Sequence, residues 1–154
     1  MIDYFSIPPL RLVIFTILTG GFYEIYWFYK NWQAVKTADQ SKIHPWARAV
    51  FAPFYCRSLF KKILESATSQ GYQNSYSPTW LAIIYILVTV VGNALSRSES
   101  FDPTVGIVMF MVISLVCIPL VIVQKAINYH QGKVFGAEVK KGYSTTEVII
   151  IILG

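Results

Sequence analysis

The chain has 154 residues, enough for one domain. Its 55% hydrophobic content and mean hydropathy of +0.50 exceed what a soluble domain of this size carries, while only 14% of residues are charged. Thirteen Lys and Arg against eight Asp and Glu leave a net charge of +5. Because the basic residues flank apolar runs and form no base-reading or phosphate-cradling motif, nucleic acid is excluded as a partner and anionic lipid headgroups are favoured.

Residues 1–9 lack the basic start and small-residue cleavage site of a secretory signal, so they read as mature structure. Pro8-Pro9 can precede a helix but cannot sit inside one. The first apolar run, 10–32, is about 35 Å long as a helix and is expected to cross a bilayer. Gly20-Gly21 in its middle allows a kink, a close neighbour or a re-entrant hairpin. The run ends in a cluster of rings beside Lys30, so Trp27 and Trp32 are expected at the membrane–water boundary.

Residues 33–77 are polar and basic. Within 46–65 apolar residues recur at helical spacing, with Arg57, Lys61, Lys62 and Glu65 on the other side. Such a segment lies in the interface or packs on its own bundle, and Pro53 is expected to divide it into two pieces. Trp46, Arg57, Lys61 and Lys62 are its expected lipid-interface residues.

Residues 79–95 and 104–123 contain no charge, and each is expected to span. Beyond Gln124 the chain is basic again, and Ser144-Thr145-Thr146-Glu147 matches a capping box that opens a short helix over 145–153. The expected architecture is therefore an all-α membrane protein of about three transmembrane helices, an amphipathic interfacial helix and a short C-terminal helix, all in one integral domain. Seven Lys and Arg lie between the first two spans and four after the third, against Arg11 and Arg97 elsewhere. That bias puts the basic loop and the carboxyl end in the cytoplasm.

An ionisable group inside an apolar run is a functional candidate, and Glu24 is that group here. Glu24 and Asn31 are seven apart and share a helix face, while Gln124, Asn128 and Gln131 form a second polar stripe. The first and third spans are expected to meet through these side chains near the cytoplasmic boundary. His44 and His130 have no Cys or acid at ligand spacing, so no metal is expected. No catalytic motif occurs, and neither a cofactor nor an enzymatic activity is expected. Cys56 and Cys117 lie at different depths, which predicts free thiols.

The string TGGFYEIYWFYKNW, followed by IHPWARAVFAPFYCRSLFKKI, VQKAINYHQGK and STTEVIIIILG, resembles a group of small bacterial integral membrane proteins with a YEIYWFYKNW-type motif, grouped as a domain of unknown function. The resemblance implies the bacterial inner membrane and brings no activity, substrate or cofactor with it. The sequence thus points to a non-enzymatic accessory or interaction subunit that associates with lipid and with other membrane proteins or itself. Its rival is a small oligomeric transporter, channel or lipid-handling protein built on Glu24.

Overall fold

A computed structural model describes residues 1–97 and 103–136, and in these the only regular elements are helices. They are α1 (Pro9–Leu18), α2 (Phe22–Asp39), α3 (Pro45–Val50), α4 (Ala52–Thr68), α5 (Pro78–Leu95) and α6 (Pro103–Phe135). The expected helix over 145–153 lies outside the described residues.

The first apolar run is not one helix. The chain turns at Gly20 and Gly21, whose φ values of 57° and 98° lie in the left-handed region that favours glycine. Thr19 closes the turn on both sides: its hydroxyl donates to Phe15 O at 2.7 Å and accepts from Tyr23 N at 2.9 Å. The second bond satisfies one of the backbone donors that α2 leaves open at its start. As a result α2 runs back along α1, with Phe15 against Tyr23 at 5.0 Å and Phe5 against Tyr26 at 5.6 Å between ring centroids. Ten residues make α1 only about 15 Å long, half the thickness of a hydrocarbon core. The expected continuous helix over 10–32 is thereby corrected to a helical hairpin.

Among the described residues two helices are long and apolar enough to cross a membrane. α5 matches the expected 79–95 nearly residue for residue. α6 continues twelve residues past the expected end at 123, to Phe135, because its polar stripe meets partners that keep it folded. The segment 46–65 is divided at Phe51, and Pro53 sits in the first turn of α4, where its missing N–H costs nothing. α4 packs on both α5 and α6.

The core centres on the aromatic string that begins α2. Trp27, Phe28 and Trp32 are fully buried, and Phe28 meets Phe60 and Tyr85. This corrects the expectation for Trp27 and Trp32, which face the protein interior and not a lipid boundary. With the hairpin folded back, α3, α4 and the first residues of the chain cover the face that a lone spanning helix would have turned to lipid. Arg48 lies over the Trp32 ring at 4.4 Å and over Tyr55 at 5.1 Å, adding a cation–π lid.

Candidate functional site

The polar stripe of α6 bonds α2 directly through Gln124 and Trp27 and otherwise grips the first residues of the chain, laid between the two helices. Gln124 is fully buried, and its Oε1 accepts from the Trp27 indole Nε1 at 2.6 Å. Its Nε2 donates to Phe5 O at 3.2 Å and to Asn128 Oδ1 at 2.8 Å. One turn on, Asn128 Nδ2 donates to Ile7 O at 2.9 Å and its Oδ1 accepts from the Ser6 hydroxyl at 2.9 Å. From the α2 side, Asn31 Oδ1 accepts Phe5 N at 3.1 Å while its Nδ2 donates to Trp27 O at 2.9 Å.

Extended backbone needs partners for its N–H and C=O groups when it is buried. Here amide side chains supply them, and the network of donors and acceptors continues to the amino end. Gln131 Nε2 donates to Asp3 Oδ1 at 2.8 Å and makes a short hydrogen bond to Tyr4 O. His130 is within hydrogen-bonding distance of Ser66 O at 3.0 Å and Ile2 O at 3.1 Å, so it links residues 2–7, a strap across the bundle, to α4. Tyr4 reaches Ser66 as well, at 3.1 Å, and burial pushes its phenol up to about 12.

Asn31 from α2 and Gln124 and Asn128 from α6 therefore converge on residues 5–7, an unforeseen middle layer, and Asn31 bonds neither of the α6 amides. Sequence patterning missed the strap because residues 2–7 carry neither helical nor strand periodicity. The one available signal was the excess of amides on α6 beyond the apolar span.

Glu24 does not join them. It lies seven residues, about 10 Å of helix, nearer the turn, where it lines a cleft with α5 and α6. Tyr85 stands beside its carboxyl group. The Oε2 atom is sealed from solvent and has no hydrogen-bond partner.

The interface residues divide in the same way. Trp46 is exposed. Arg57 Nε donates to Thr79 Oγ1 at 3.1 Å, which ties α4 to the start of α5. Lys62 pairs with Asp39 at 2.9 Å and Lys61 with Glu65 at 3.7 Å, both at the surface. Among the described residues no cluster of three or more His, Cys, Asp or Glu stands close enough to hold a metal ion.

No protein-family model matches the chain, and neither a curated protein nor a solved structure is significantly similar to it.

Proposed function

We propose that the chain is a non-enzymatic integral membrane protein of two spanning helices, α5 and α6, with the α1–α2 hairpin entering the bilayer and returning. The observation that carries this reading is how little of the apolar helices the fold covers: 17% of the α5 span and 28% of the α6 window are buried. Leu87, Val90, Ile107 and Phe110 all face outward. In water such a surface would be an aggregation site, whereas in lipid it costs nothing.

The positive-inside bias favours a cytoplasmic layer made of α3, α4 and the end of α6, in the inner membrane of a bacterium as the resemblance implies. Because α6 side chains beyond the span hold residues 2–7, the amino end belongs to that layer too. Trp46, Val50, Phe51 and Phe54 are exposed where α3 meets α4, with Arg57 and Lys61 close by in sequence. Apolar and aromatic residues edged by cations suit an anionic leaflet.

Such a bundle has little interior for chemistry and much outer surface for association, which supports an accessory role beside other membrane proteins or a second copy of itself. Purification from native membranes in mild detergent, followed by cross-linking and mass spectrometry, tests it. A defined stoichiometric partner or a homo-oligomer is the expected result. A monomer with no cross-linked neighbour contradicts it.

A further inference from the structure

The cleft beside Glu24 has a composition of its own. It holds about 170 Å³ between the hairpin turn and the outer halves of α5 and α6, and its walls include Val88, Met109, Val112 and Val116. A cavity of roughly 150 Å³ accepts a benzene-sized molecule, so the space suits a group of a few heavy atoms and excludes a nucleotide.

Its polar side chains point their donors elsewhere. The Thr89 hydroxyl donates to Tyr85 O at 2.7 Å, the Asn93 amide to Thr89 O at 2.8 Å and the Ser96 hydroxyl to Asn93 O at 2.9 Å. What these three groups have left is chiefly acceptor capacity: the hydroxyl lone pairs and the Asn93 Oδ1, against the one remaining N–H of the Asn93 amide. At the inner end stands Glu24, whose Oε2 is buried and unpartnered. The turn makes room for it, since a Cβ on Gly21 would lie 3.0 Å from Glu24 Oε1.

An acceptor-rich lining with one acid asks for a donor that carries positive charge. A bare hard cation takes six or more oxygen ligands, and a cleft walled by Val and Met does not offer them. A primary ammonium differs, because it directs three N–H donors toward a few acceptors and trails a carbon stem that apolar walls accommodate. We propose that this cleft is a binding site for a primary ammonium on a short alkyl stem, with Glu24 as its counter-ion and Asn93 and Ser96 as acceptors at the rim. The same chemistry is offered by the headgroup of an aminophospholipid and by a free alkylamine. The site stands on the cleft alone and does not depend on the accessory role.

Methionine methyl NMR on the full chain provides the readout, because Met109 lines the cleft while Met1 and Met111 are exposed elsewhere. In nonionic micelles, n-butylammonium is expected to shift the Met109 methyl saturably and leave Met111 in place. Glu24→Gln is expected to weaken that binding tenfold or more, and n-butanol, of similar shape without the charge, to leave Met109 unmoved in the wild-type chain. In nanodiscs of phosphatidylglycerol with increasing phosphatidylethanolamine, a Met109 shift that tracks the second lipid assigns a headgroup. A shift with butylammonium alone assigns a free amine, and either upholds the site. No saturable shift in either arm, an equal response in Glu24→Gln, or an equal response to butanol overturns it.

Discussion

The Trp27 indole and the Gln124 carboxamide, 97 residues apart, meet at 2.6 Å in a fully buried hydrogen bond. Gln124 spends its other end on the backbone of Phe5 and on Asn128, so one side chain joins the hairpin, the strap and α6. Removing it strands a buried indole N–H and the Phe5 carbonyl. Gln124→Leu should lower stability by about 1–3 kcal/mol, the usual cost of leaving buried polar groups unpaired. Trp27→Phe should cost less when Gln124→Leu is already present, and thermal unfolding of the double-mutant cycle in detergent measures the coupling. Strict additivity would mean that the two side chains do not interact.

The two glycines of the turn differ in what surrounds them. Both have left-handed φ, but a Cβ on Gly20 would meet nothing within 4 Å, whereas one on Gly21 would meet Glu24 Oε1 at 3.0 Å. Gly20→Ala should therefore cost about 1–2 kcal/mol for backbone strain alone. Gly21→Ala should cost more, and Glu24→Ala in the same chain should recover the excess. Unfolding midpoints of the three variants decide the matter.

Arg48 covers the ring of Trp32. Its replacement by Ala should lose about 0.5–2 kcal/mol, and Arg48→Lys should recover only part of that, because a planar guanidinium stacks on a ring and an ammonium does not. An unchanged unfolding midpoint for Arg48→Ala would remove the lid from the account. Since Trp32 is wholly buried, its fluorescence should also shift to longer wavelength in Arg48→Ala.

Cys56 is buried, donates to Pro53 O at 3.4 Å, and burial pushes its thiol from about 9 up to about 11. The neutral thiol is the form the fold prefers. Between those two values the unfolded chain ionises and the folded one does not, so stability should fall as pH rises through that window, and Cys56→Ala should flatten the fall. At pH 8 a maleimide should label Cys56 only after unfolding, because the thiolate is the reactive species.

Much of this was legible in the residues. The uncharged run 79–95 became α5 because nothing in it competes with a helix, and the Pro-divided amphipathic segment became α3 and α4 for the reason its spacing gave. Asn31 on one side and Gln124 and Asn128 on the other converge on the backbone of residues 5–7. What the sequence could not convey was direction. Gly20-Gly21 permits a kink or a reversal equally, and only the packing of Phe5, Tyr26 and residues 2–7 against α6 selects the reversal. That choice also moved Trp27 and Trp32 inward, since a folded-back hairpin has neighbours where a lone span has lipid. Glu24 was legible as unusual for its place, and its distance from Asn31 follows from two turns of helix; that it lines a cleft with α5 and α6 is what no periodicity encodes.

The central claim is that the amino end and the basic layer share one side of the membrane, because the first apolar run turns back. Single cysteines at positions 2, 40 and 97, in a chain whose native cysteines are replaced by alanine, test it directly with a membrane-impermeant thiol reagent. Applied from outside intact cells, the reagent should reach position 97 and neither 2 nor 40, both of which should react only after permeabilisation. Labelling of position 2 from the outside while position 40 stays protected would make 10–32 a crossing and would contradict the account.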